Sequence, residues 1–182
     1  MNKLTRTLAL LCCLLMALAL SACTTRETKL EHAFVFNKDT QTLISYHGDA
    51  THLTIPARIK GTAVKVIGEG CFDSTVTGEE PDLDGKYSTN RDDRLCNILS
   101  VEIPDGVEEI RAYAFGNMLK LEEITIPDSV TSIDTSAFME HDGSVISGVL
   151  PALKAIHVKK DSDAQKILEA NADLSPLLKV DD

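Results

Sequence analysis

Few residues of this chain stand where chemistry would need them. His32, His47, His52, His141 and His157 sit in no HExxH or other metal-binding spacing. His157 alternates with Ile156 and Val158, which predicts an outward ring; the other histidines read as polar surface. Ser45, Ser100, Ser132 and Ser136 lack a GxSxG context. Gly68-Glu69-Gly70 lacks the further spacing of a nucleotide loop. Glu108-Glu109 and Glu122-Glu123 are paired acids, but glycosidic carboxylates need a shared pocket. Glu108 and Glu122 read instead as an acidic rim. Asp73, Asp82 and Asp84 invite a cation, yet the alternating ligands and closing Glu of a calcium loop are missing. The expectation is a non-enzyme with no catalytic residue, metal, cofactor or small-molecule substrate.

The cysteines carry more information. Residues 1–22 open on Lys3 and Arg6, continue as an uncharged apolar run from Leu8 to Leu20, and end on Ser21 and Ala22. That is the pattern of a secretory signal peptide, which takes Cys12 and Cys13 with it. Leu20-Ser21-Ala22-Cys23 resembles the bacterial lipobox, in which cleavage before the cysteine leaves its thiol to carry diacylglycerol. The resemblance implies an acylated, palmitate-type anchor at Cys23 as the link to the membrane. Several acyl chains hold firmly where a single chain is marginal. Thr24, rather than Asp, follows the cysteine and implies an outer-membrane lipoprotein, on its surface or periplasmic side. Residues 23–32 then form the lipidated residue and a polar tether.

Charge removes another class of partner. The chain carries 18 basic and 28 acidic residues. Loss of Lys3 and Arg6 leaves a mature net charge near −12. Nucleic acid demands a basic surface, so it is not an expected partner.

What organises the rest is a repeat. Ile103-Pro104-Asp105 recurs as Ile126-Pro127-Asp128, Val107 as Val130, Ile110 as Ile133, and Ala114-Phe115 as Ala137-Phe138, always 23 residues on. A unit this short cannot enclose a core; it must bury its apolar side on the next unit, so the units stack in a line. Ile124 and Ile126, two apart, face one side of a strand. Pro127 has no N–H and ends the ladder. Stacking predicts that the Phe side chains form one column.

An earlier copy spans residues 52–72, with Ile55-Pro56, Val64, Ile67 and Cys71-Phe72, lengthened by a turn at Lys60-Gly61. Insertions follow at 73–94 and at 139–150. Residues 33–46 predict an opening hairpin that caps the stack. Residues 153–158 predict a last strand, and Ser162 with Gln165 predicts a capped helix over 162–171 that closes it. Leu174, Leu177 and Leu178 are expected to fold back on that helix, with Asp181-Asp182 frayed. Cys71 takes the small core position of Ala114 and Ala137. It is either an inert buried thiol or, with Cys96 brought near by stacking, half of a disulfide.

The units resemble the leucine-rich repeats of the BspA type, also described in treponemes. Leu121, Ile124, Ile126, Pro127, Val130, Ile133, Ala137 and Phe138 satisfy that pattern throughout, and residues 98–115 do so with Ile98 for the first Leu. The resemblance covers 33–171. It implies a β-rich leucine-rich-repeat solenoid over 33–182, short, with an N-terminal hairpin cap and a C-terminal helical cap. It also implies a non-catalytic surface for protein binding, such as adhesion to a host matrix protein or a bacterial partner. A periplasm-facing structural or assembly lipoprotein is the alternative. Outward residues Glu102, Glu123, Thr125 and Lys154 are the expected binding face.

Overall fold

The computed structural model describes residues 31–73, 75, 95–142 and 145–182, the side chain of Cys96 excepted. Internal contacts divide the chain into Met1–Ala33 and Phe34–Asp182. The second unit holds every strand of the described residues.

Each repeat makes one coil with two strands. The first strands are β3 (His52–Thr54), β7 (Ser100–Glu102), β9 (Glu123–Ile126) and β13 (Ala155–Lys159), which lie side by side in one parallel sheet. The second strands are β6 (Val66–Ile67), β8 (Glu109–Ile110) and β10 (Ser132–Ile133), parallel in another. The Ile-Pro turn separates the two. Pro104 and Pro127 interrupt donation, and their carbonyls accept from Val107 N and Val130 N. Gly106, at φ +98°, supplies the left-handed residue in the first of these turns. One backbone step recurs from coil to coil. The carbonyl of Gln41 accepts from Lys65 and Val66, that of Lys65 from Glu108 and Glu109, and that of Glu108 from Thr131 and Ser132.

The apolar residues of the pattern fill the space between the sheets. Ile55, Ile103 and Ile126, then Val64, Val107 and Val130, are all buried. The predicted column is present. Phe72 stacks on Phe115 at 5.3 Å and 8°, and Phe115 on Phe138 at 5.8 Å and 4°. Tyr46 and Phe34 extend it toward the N-terminus with tilted contacts at 5.8 and 4.8 Å. Phe72 N donates to Ala114 O and Phe115 N to Ala137 O, which locks the ring-bearing turns in step.

Both ends are capped. Strands β1 (Phe34–Asn37) and β2 (Thr42–Tyr46) form an antiparallel hairpin, and β2 pairs with β6. A second hairpin, β4 (Arg58–Ile59) with β5 (Thr62–Ala63), absorbs the lengthened loop of the first coil. Its turn residues Lys60 and Gly61 both have positive φ, as a two-residue turn between twisted strands requires. Helix α1 (Asp163–Glu169) buries Ala164 and Leu168, and Ser162 Oγ accepts from Gln165 N at 3.1 Å. The helix stops at Ala170, one residue earlier than Asn171, whose side chain instead accepts from Asp173 N and Leu174 N to start the next turn.

Two expectations change. The C-terminal residues are not frayed: β14 (Leu178–Asp181) pairs in parallel with β13, and Asp181 O accepts from Lys160 N. Leu178-Lys179-Val180-Asp181 alternates apolar and polar, yet Lys179, Val180 and Asp181 are all exposed, so backbone pairing rather than burial holds them. The insertion at 139–150 is itself a hairpin, β11 (Met139–Asp142) with β12 (Val145–Val149). Of the 73–94 insertion, Asp73 and Thr75 are described and the rest lies outside the described residues.

Candidate protein-binding face

The sheet β14-β13-β9-β7-β3 turns alternate residues inward and outward. Leu53, Val101, Ile124 and Ile156 form one register row and are buried. The next row is Thr54, Glu102, Thr125, His157 and Lys179, and it points away from the core. A second outward row aligns His52, Ser100 and Glu123.

Three of the four expected face residues lie on these rows. Glu102 is exposed and its Oε2 accepts from Thr54 Oγ1 at 3.0 Å. Thr125 and Glu123 are exposed on β9. Lys154 stands just before β13, off the rows, and its Nζ lies 2.8 Å from Glu122 Oε2. His52 Nδ1 and Ser100 Oγ are 2.8 Å apart. His157 faces outward as expected, with Nδ1 3.7 Å from Asp181 Oδ2. Cross-strand bonds of this kind hold exposed side chains in fixed places at strand spacing. The face can therefore offer a pre-ordered array of hydroxyl, carboxylate and cationic groups. Its centre is acidic, at Glu102 and Glu123, and Lys154 and Lys179 stand toward its C-terminal end.

The opposite sheet has its own polar surface. Lys65 Nζ meets Glu108 Oε1 at 2.5 Å, and Arg111 Nε meets Glu109 Oε1 at 3.1 Å. A shallow groove there is lined by Glu69, Glu109, Arg111, Ser132 and Asp134. Glu108 and Glu122, read from the sequence as an acidic rim, stand beside different sheets, and each is engaged by a lysine.

Cys71 is buried and free, and its neighbours' desolvating effect pushes the thiol well above its ordinary value. A thiol in that state is a poor nucleophile. The side chain of Cys96, the other half of the disulfide weighed from the sequence, lies outside the described residues. Cys23 also lies outside the described residues. Among the described residues, no three His, Cys, Asp or Glu gather to hold a metal ion, and no helix is long and apolar enough to cross a membrane.

One polar cluster escaped the sequence. His141 is not surface: its side chain is 8% exposed, and its Nε2 lies 2.6 Å from Oδ2 of Asp73, which is 1% exposed. Asn117, also buried, bonds both partners. The ring of Tyr113 packs on His141 at 4.3 Å. The residues come from three coils, so spacing along the chain could not reveal them. A weak signal was the polar Asp directly after the core Phe72, where the next copies have Gly116 and Met139.

A family model described as the BspA type leucine-rich repeat region matches residues 93–151. Three solved structures are similar. A leucine-rich repeat protein from Bacteroides capillosus is 23% identical over 82% of each chain, with a TM-score of 0.47. A leucine-rich cell surface protein from Faecalibacterium prausnitzii is 25% identical over 75% of this chain and 32% of its own, with a TM-score of 0.37. The Leucine Rich Repeat protein of T. pallidum is 16% identical over 69% and 67%, with a TM-score of 0.30. No curated protein matches the chain. The unit from Phe34 onward is a short leucine-rich-repeat solenoid, and its central coils are similar to the BspA type.

Proposed function

We propose that this protein is a non-catalytic lipoprotein, anchored through Cys23, whose parallel sheet face binds another protein. The observation that carries it is the outward row Thr54, Glu102, Thr125, His157 and Lys179, ordered at strand spacing on a rigid stack. A fold alone does not name a partner. Among the described residues, the outward rows of this face hold no Trp, Tyr or Phe to serve as an anchor. Its recognition is therefore polar and steered by charge, which governs association rate and specificity more than affinity. A host matrix protein or a bacterial surface protein is the partner class the family resemblance supports, with the anchor in the outer membrane.

Protease treatment of intact cells tests the location. A surface adhesin is cut without breaking the cell. Complete protection until lysis would replace that reading with a periplasm-facing structural or assembly role, using the same face.

A further inference from the structure

Asp73 follows Phe72, where the chain leaves the first coil; His141 lies on β11, where the hairpin leaves the third. Between them stands Asn117 of the second coil. The Asp73 carboxylate is fully engaged. Its Oδ1 accepts from Thr75 N at 2.8 Å, Thr75 Oγ1 at 2.7 Å and Asn117 Nδ2 at 3.2 Å. Its Oδ2 accepts from His141 Nε2. Asn117 Oδ1 in turn accepts from His141 N at 3.0 Å. A Cβ on Gly116 would stand 3.0 Å from both Asp73 Oδ2 and His141 Nε2, so the coil makes room for the pair.

A buried charge is tolerated only while its hydrogen bonds are complete, and losing one partner leaves the rest short. Loss of any one donor therefore leaves the Asp73 carboxylate short of a partner. We infer that the network is a lock through which the β11–β12 hairpin opens and closes together with Asp73 and Thr75, separately from the coils. Two further features make that separation possible. The hairpin is anchored at its base by buried Met139 and Leu150, while Asp142, Val145, Ile146 and Ser147 are exposed. The coils have strand ladders and a ring column of their own, which do not run through Asp73, Asn117 or His141. Elements with few buried contacts open at lower free energy than the core they stand on.

Hydrogen exchange on the full chain tests this. In His141→Gln, exchange at Thr75 and across 139–149 should rise by one common factor, at least about tenfold for the loss of a buried hydrogen bond. Exchange at β8 and β10 should stay unchanged. A rise confined to the hairpin, a rise shared with β8 and β10, or no rise would each overturn the lock. The wild type supplies a second measurement that needs no variant. In rising sub-denaturing urea, Thr75 and the hairpin amides should follow one common dependence, lying below that of the coils. Two separate dependences, or merger with the coils, would contradict the inference.

Discussion

The rings of Phe72 and Phe115 lie parallel at 8°, their centroids 5.3 Å apart, although the 73–94 insertion separates them in the chain. The neighbouring pair, Phe115 and Phe138, has nearly the same geometry across an uninterrupted 23-residue period. Stacking geometry is thus set by the coil and not by the length of chain between coils. A solenoid contact is made between neighbours, so an insertion that leaves and returns on one side need not disturb it.

The middle of the column should be the most costly place to cut. Phe115→Ala removes a ring stacked on both sides and fully buried. It should cost about 3–5 kcal/mol, as large-to-small core changes do. Phe34→Ala, at the end of the column, should cost less. Urea denaturation of the two variants would check the order; equal losses would deny that the column is central to the core.

The turns between coils are tied by Ser129. Its hydroxyl donates to Val107 O at 2.8 Å and accepts from Gly106 N at 2.9 Å. Ser129→Ala should destabilise by about 1 kcal/mol, the net value of a typical hydrogen bond. Gly106→Ala should also destabilise, for a different reason: φ is +98° and the added methyl meets open space, so the cost is conformational. Thermal melts of both variants would measure these effects.

Cys71 makes a pH prediction. Burial raises the folded thiol, so the folded state keeps a proton that the unfolded chain releases. Stability attributable to this group is therefore complete below the unfolded thiol value, about 8.5, and falls as pH rises above it. Relative to wild type, Cys71→Ala should lose less stability between neutral pH and alkaline pH, measured as the difference between their melting curves. In the native protein at neutral pH, Cys71 should also resist a thiol reagent that labels it in urea.

Much of the coil was legible before its coordinates. Ile103-Pro104, Val107, Ile110 and Ala114-Phe115 declare which side chains go inside, because a repeat states the same burial rule more than once. The caps were legible from the hairpin pattern of residues 33–46 and from Ser162 with Gln165. Strand β14 was not: its alternation, Leu178-Lys179-Val180-Asp181, is only four residues long and buries no side chain fully, so pairing defines it. The outward rows followed from strand alternation, and Glu102, Glu123 and Thr125 lie exposed on them. Lys154 fell off the rows because it precedes its strand and is drawn to Glu122. The Asp73–His141 pair was invisible because its parts are held together by stacking, which a single pass along the chain does not display.

Charge reversal on the face should act on encounter. Glu102→Lys with Glu123→Lys changes exposed groups at the acidic centre of the face and leaves the core untouched. The double variant should fold with nearly wild-type stability and associate with its partner at a different rate, with an altered salt dependence. Surface plasmon resonance at two ionic strengths would read both.

The central claim is that the β3-β7-β9-β13-β14 sheet is the surface that meets a partner. Its most direct measurement is photo-crosslinking of the full chain on living cells, with the crosslinker placed at Thr125 on that sheet or at Ser132 on the opposite one. The account predicts a discrete protein adduct from Thr125 and none from Ser132. No adduct from Thr125, or the same adduct from Ser132 alone, would contradict it.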